Sequence, residues 1–188
     1  MVDRRSKREP LQHITGHAPF RYLDLRLVRA CSFRVRKPNS WCRKVSTGSP
    51  STACIRRKWS ICAREAAQSA CHFVTEVPGS EVWAVEKSEQ TAQWTRVNLN
   101  ETAKKYPSIA SNYHLEIADA TQTPTLNQLD GTIDIVLTNP PYVPLADIPQ
   151  QPEVRDYDPD LALYGGSADG TLIPERIIAR AAKLLKNG

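Results

Sequence analysis

The chain has 188 residues and a formal net charge of +5, with 40% hydrophobic residues and 14 prolines. This length allows one domain with a hydrophobic core, and no apolar run approaches the roughly 18 residues that a membrane span requires. The charged N-terminus, MVDRRSKREP, has no apolar segment behind it and does not resemble a secretory signal. We therefore expect a soluble cytoplasmic protein with no membrane partner.

The positive charge is concentrated in one window of the sequence. Residues 26–72 hold 11 of the 25 lysines and arginines, all five cysteines and a single acid, Glu65, so the rest of the chain has a net charge of −5. The window shows neither helical nor strand periodicity. We therefore divide the chain into a lead-in or linker remnant at 1–25, a scrambled region at 26–73 and a regular region at 74–188.

The regular region predicts its elements in chain order. EVWAVE predicts a strand, and the segment after it predicts a helix with Ser88 as the N-cap. A second strand, HLEIADA, ends at Asp119, and a third, in GTIDIVLTNPPY, is apolar enough for burial on both faces. TLIPERIIARAAKLL, after Gly170, predicts a second helix. The predicted buried stripes of the two helices are Ala92, Arg96, Leu99 and Ala103, and Ile173, Ile177, Ala181 and Leu184.

This order of elements, strand, helix, strand, strand, helix, is typical of an α/β fold with a parallel sheet. Glu86, Asp119 and Asn139 are each the last or next-to-last residue of a predicted strand. The carboxyl ends of parallel strands meet at one edge of the sheet, where ligands bind, so we expect these three side chains to converge. Polar residues also begin ordinary loops, and a purely structural role for Glu86 and Asp119 stays open.

The stretch Asn139 to Tyr142, NPPY, is suited to one kind of hydrogen-bonding chemistry. Prolines offer no N–H, and Pro141 keeps Pro140 extended, so the loop presents the Asn139 side-chain oxygen and the Pro140 carbonyl as acceptors. Two acceptors suit the two hydrogens of a planar –NH₂ group and localise its nitrogen lone pair, while the Tyr142 ring offers a flat face. Such a loop would position a nitrogen nucleophile. A simple turn is the alternative interpretation.

Three separated segments then resemble one family. IDIVLTNPPYVP resembles motif IV of the amino-methyltransferases that use S-adenosylmethionine. REPLQHITGHAPF, residues 8–20, resembles the R-x-P-x-x-Y-x-x-G-x-x-x-F segment of HemK-type release factor glutamine methyltransferases, with His13 where the family usually has an aromatic residue. DPDLALYGGSADGTLIPERII, residues 158–178, resembles the segment that follows NPPY in that family, with Asp158 in place of a glutamate. The resemblance covers residues 8–20 and 81–188.

The resemblance implies a Rossmann-like class I S-adenosylmethionine-dependent methyltransferase fold. It implies an enzyme of translation termination that methylates the side-chain amide nitrogen of a glutamine in a peptide chain release factor. We expect no metal site. The cofactor-binding set it implies is Glu86 at the ribose, Asp119 and Ala120 at the adenine, and Asn139. The substrate-binding set it implies is Asn139, Pro140, Pro141 and Tyr142, of which Asn139, Pro140 and Tyr142 are catalytic.

The family also requires a glycine-rich turn after the first strand, and this chain has no glycine between Gly48 and Gly79. Our hypothesis is that residues from about 28 to 72 are translated out of frame, because permitted codons read one nucleotide earlier restore family motifs. For residues 28–44 they spell GPGVFVPRPETEFVVQK, and for residues 59–72 they spell VDLCAGSGAIGLS, a strand and a glycine-rich loop. We therefore expect an incomplete parallel sheet, with the first strand and cofactor loop disrupted and C-terminal strands missing. We also expect negligible S-adenosylmethionine binding by the chain as written.

Other functions remain open at this point. The same acceptor geometry suits a nucleic-acid adenine N6-methyltransferase, and a ribosomal-protein glutamine methyltransferase is a closer variant. A non-catalytic basic nucleic-acid-binding fragment, built on residues 26–72 with Trp41 and Trp59, is the alternative of another class. The cysteines contain no C-x-x-C pair, so we expect no structural zinc site.

Overall fold

A computed structural model of the chain describes residues 1–20, 22–27, 57–62, 71, 73–77 and 79–187, with the backbone alone described for residues 57–62. The expected disruption of the glycine-rich loop falls on residues 63–70, which lie outside the described residues. The helices are α1 (Val2–Ser6), α2 (Leu11–Thr15), α3 (Glu89–Lys105), α4 (Ile109–Asn112), α5 (Pro152–Arg155) and α6 (Leu172–Leu184). The strands are β1 (His17–Phe20), β2 (Leu23–Arg26), β3 (Arg57–Cys62), β4 (Ser80–Glu86), β5 (Tyr113–Ile117) and β6 (Ile135–Thr138).

Strands β3 to β6 form one parallel sheet in the order β5–β4–β3–β6, and β1 and β2 form a separate antiparallel pair. The chain runs outward from β3 through β4 to β5 and then crosses to the other side of β3 to form β6. Strand order therefore reverses between β3 and β6, which is the position where open α/β sheets bind ligands. The predicted α/β fold with a parallel sheet is confirmed.

The first strand of this sheet differs from the expectation of a disrupted strand. β3 lies at the centre of the sheet, with Trp59 opposite Val82 of β4 on one side and Ile135 of β6 on the other. Main-chain hydrogen bonds from two neighbouring strands form this strand irrespective of its side-chain pattern. Tertiary context therefore overrides the missing local periodicity.

The long helix α3 begins as predicted, because the Ser88 side chain accepts a hydrogen bond from the Thr91 N–H at 3.2 Å. Its buried face differs from the predicted stripe, since Arg96 is exposed and Asn98 is buried instead. The Asn98 side chain accepts a hydrogen bond from the Arg26 N–H at 2.7 Å and donates one to the Arg26 carbonyl at 3.0 Å. These two bonds join the helix to β2. A buried polar side chain is tolerated there because its hydrogen bonds are satisfied.

The core formed by the described residues contains two apolar clusters. β6 packs Ile135 and Leu137 against the first and Val136 against the second, which confirms packing on both of its faces. In α6, Ile177 and Leu184 are buried in the second cluster, as predicted, and Ile173 packs against it. No helix in the described part of the chain is long and apolar enough to cross a membrane.

Candidate functional site

A cavity of about 430 Å³ opens at the carboxyl ends of β4 and β5. Its walls come from the turn after each strand, from the segment that follows the NPPY loop and from the first half of α6. Its lining includes Glu86, Lys87, Asp119, Ala120, Pro141, Leu161, Ile173, Arg176 and Ile177. The cavity therefore lies at the sheet edge where the sequence placed the strand-end acids.

Glu86 is the last residue of β4 and only 8% exposed. Its Oε1 accepts a hydrogen bond from the Ser88 N–H at 2.7 Å, immediately before α3 begins. Burial raises the pKa of the Glu86 carboxyl, and backbone hydrogen bonds from Ser88 and Lys87 oppose that rise. A buried carboxylate that lines a largely apolar cavity can accept hydrogen bonds from the hydroxyls of a ligand.

Asp119 lies two residues after β5 and is held on both carboxylate oxygens. Its Oδ1 accepts hydrogen bonds from the N–H and the hydroxyl of Thr121, at 2.9 and 2.7 Å, and its Oδ2 lies 2.8 Å from the Lys87 ammonium nitrogen. Burial acts to raise the pKa of Asp119, but the hydrogen bonds from Lys87 and Thr121 outweigh it and the pKa is lowered. Asp119 is therefore charged, and it orders the turn that carries Ala120.

Glu86, Asp119 and Ala120 line this first cavity together. Asn139, the third strand-end residue expected to converge with the two acids and to bind the cofactor, is not part of its lining. Sequence reasoning missed Lys87, because a lysine after a strand is usually a solvated surface residue. It also missed Arg176 as a wall residue, since Arg176 falls outside the apolar stripe predicted for that helix.

The NPPY loop separates the first cavity from a second cavity of about 800 Å³. Asn139, Pro140 and Tyr142 line the second cavity, while Pro141 lines both. Tyr142 is 60% exposed at this cavity. All four residues of the loop therefore line the second cavity, and Asn139 belongs to a different cavity from the strand-end acids.

The segment after α5 holds the NPPY loop in place. The Val143 N–H donates to the Leu163 carbonyl and the Gly165 N–H donates to the Val143 carbonyl, both at 2.9 Å. Gly170 has a φ of +78°, and a Cβ atom there would lie 2.3 Å from the Tyr142 carbonyl oxygen. Only glycine allows this approach of the two backbones.

Asp169 stabilises the turn that contains Gly170. Its Oδ1 accepts hydrogen bonds from the Ser167 hydroxyl at 2.7 Å, the Thr171 hydroxyl at 2.9 Å and the Thr171 N–H at 3.1 Å. These bonds lower the pKa of Asp169 to about 2. The glycine-rich segment after NPPY thus has a definite structural task, which is to set the position of the loop.

Comparison with known proteins identifies the relatives of this chain. It is 62% identical over 195 residues to the release factor glutamine methyltransferase of Bifidobacterium longum, and 38% identical over 198 residues to that of Streptomyces coelicolor. The chain is thus similar in sequence to release factor glutamine methyltransferases. Both matches cover the whole chain but only 64% and 63% of the relatives, so the chain spans less than two thirds of their length. No protein-family model matches.

Solved structures support the fold. The hMettl16 catalytic domain, in complex with an RNA hairpin, superposes with a TM-score of 0.56 at 11% sequence identity, covering 93% of this chain and 59% of that domain. At this identity the likeness is one of fold alone. The chain therefore shares the Rossmann-like α/β fold of this catalytic domain.

Proposed function

We propose that this protein, with the reading frame of residues 28–72 restored, transfers a methyl group from S-adenosylmethionine to the side-chain amide nitrogen of a glutamine in a peptide chain release factor. It would do so in the cytoplasm, on a protein that acts in translation termination. The observation that carries the proposal is the position of the NPPY loop between two cavities, with Pro141 lining both. A methyl donor in one cavity and a nitrogen acceptor in the other would meet at this loop.

The residues of the first cavity fit the nucleoside part of the cofactor. Glu86 presents a buried carboxylate that can accept hydrogen bonds from ribose hydroxyls. Asp119 and Ala120 would lie at the adenine. When bound, S-adenosylmethionine supplies a methyl group on a positively charged sulfur.

The second cavity fits a planar amide. The Asn139 side-chain oxygen and the Pro140 carbonyl would accept the two hydrogens of the glutamine –NH₂ group, and the Tyr142 ring would cover its plane. Removing the lone pair from amide conjugation makes the nitrogen nucleophilic, so positioning and electrostatic preorganisation carry the reaction. The nitrogen gains the methyl carbon and releases one of its two protons to the solvent that reaches this exposed cavity, so the product is a neutral secondary amide.

The test is methyl transfer from labelled S-adenosylmethionine to a class 1 release factor. We expect transfer by the frame-restored protein, and a fall of about 10²- to 10³-fold in kcat for its Asn139→Ala variant, since one preorganised acceptor is lost. Asn100→Ala, on the exposed face of α3, is the matched control and should leave the rate unchanged. Methylation of DNA in place of the release factor would support the adenine N6 alternative and contradict the proposal.

A further inference from the structure

Arg8 adopts a left-handed backbone conformation, with a φ of +66°. It follows Lys7, the C-cap of α1, and its N–H donates to the Arg5 carbonyl at 3.0 Å. Glycine is the usual residue at this position after a helix, because a side chain is strained there. The presence of an arginine indicates that its side chain has a task that glycine could not perform.

The Arg8 side chain reaches across to α5. Its Nε lies 2.8 Å from Oε1 of Glu153, whose side chain is only 26% exposed. Alongside this ion pair, the Tyr157 hydroxyl donates to the Lys7 carbonyl at 3.1 Å. Two contacts therefore tie the start of the chain to the segment that follows the NPPY loop.

Hydrogen bonds within residues 4–9 hold the backbone around Arg8 in place. Glu9 is 2% exposed, and Arg4 binds both of its carboxylate oxygens, at 2.5 and 2.7 Å. Arg5 donates to the Glu9 carbonyl at 3.0 Å. We call residues 4–9 the N-terminal latch, because these internal bonds hold Arg8 in a fixed direction.

The partner of the latch, α5, depends on such contacts. It has four residues, too few for a helix to be stable by itself, and no side-chain hydrogen bond caps it. Its Val154 is buried and lines the second cavity together with Gln151. The position of this cavity wall is therefore set by tertiary contacts.

We propose that Arg8 is a positioning residue for the second cavity: through Glu153, the N-terminal latch holds α5, and with it Val154, against the NPPY loop. Describing this cavity as the acceptor site rests on the proposed function. The coupling of the latch to the cavity wall does not, since it follows from the contacts alone.

The test is amide hydrogen exchange on the full chain carrying Arg8→Gly. Removing a partly exposed ion pair should speed exchange of the Val154 to Asp158 amides about two- to fivefold. Glycine relieves the backbone strain, so the Tm should stay equal or rise, and exchange in α6 should not change. Glu153→Gln should speed α5 exchange by a similar factor without the gain in Tm, and the double variant should add little to the exchange effect, because both changes remove the same contact.

Lys7→Gln is the matched control. It removes the neighbouring ion pair with Asp3 and leaves the Arg8 side chain and the Lys7 carbonyl in place, so exchange in α5 should be unchanged. Unaltered α5 exchange in Arg8→Gly, or an equal rise in α6, would overturn the coupling. In the frame-restored protein, Arg8→Gly should raise KM for the release factor and leave KM for S-adenosylmethionine unchanged. A methyl-transfer assay with no activity would overturn the proposed function and leave the exchange result standing.

Discussion

At the scale of single residues, two carboxyl groups near the NPPY loop have pKa values shifted in opposite directions. Glu86 is buried at the end of β4, and burial raises the pKa of its carboxyl. Asp169 is bound by the Ser167 hydroxyl and by Thr171, which lower its pKa to about 2. The two groups therefore contribute to stability with opposite dependence on pH.

Glu86→Gln should stabilise the fold at about pH 7. A raised folded pKa means that the contribution of Glu86 is present below its unfolded pKa, near 4.5, and is lost as pH rises through the folded pKa. The glutamine oxygen can still accept a hydrogen bond from the Ser88 N–H. The free energy of unfolding should therefore rise because a buried charge has been removed. Urea unfolding should show a gain at about pH 7 that disappears at about pH 4. A gain of equal size at both pH values would contradict this explanation.

Asp169→Asn should destabilise the fold at about pH 7. The lowered pKa means that the carboxylate stabilises the fold above its unfolded pKa, near 3.8, and that this contribution is lost as pH falls to about 2. The variant should therefore be less stable than the original chain at about pH 7 and similar to it at about pH 2. The same unfolding series measures both variants, and a constant difference across the range would show that charge is not the cause.

At the scale of elements, the turn at Gly170 sets the NPPY loop. The sequence resemblance identified the segment around this glycine, but its physical role depends on a contact between backbones that are distant in sequence. Gly131 offers a comparison, because its φ of +68° is similar and an added Cβ there would have nothing within 4 Å.

Gly170→Ala should destabilise the protein more than Gly131→Ala does. Both changes place a side chain in the left-handed region, at about 1–2 kcal/mol each. Gly170→Ala adds a Cβ 2.3 Å from the Tyr142 oxygen, which forces the two backbones apart. Urea unfolding at one pH compares the two variants directly. Equal losses would mean that the turn moves away from the loop freely.

At the scale of the whole molecule, the scrambled region at 26–73 affects whether the chain can bind its cofactor. β3 falls inside this window and occupies the centre of the sheet, so the backbone of the parallel sheet is complete from β5 to β6. The out-of-frame hypothesis covers residues from about 28 to 72, which include β3. The resemblance implies a glycine-rich turn after this strand, so that the backbone can approach the cofactor.

We predict that the chain as written binds S-adenosylmethionine negligibly, because it has no glycine between Gly48 and Gly79. Titration calorimetry on a folded sample measures this, with the frame-restored protein as the positive control. Micromolar binding by the chain as written would contradict the prediction. Tryptic peptides from the native source, such as VSTGSPSTACIR, would show directly which reading the cell translates.

The sequence by itself determined the α/β class, the strand-end position of Glu86 and the Ser88 cap, because these depend on local apolar pattern and on capping chemistry. Only the tertiary structure decided that β3 forms, that Asn139 and the strand-end acids line different cavities, and that Arg8 meets Glu153. These features depend on main-chain pairing and ion pairs between residues far apart in the chain. No local pattern encodes such contacts, since they exist only when the packed elements bring the partners together.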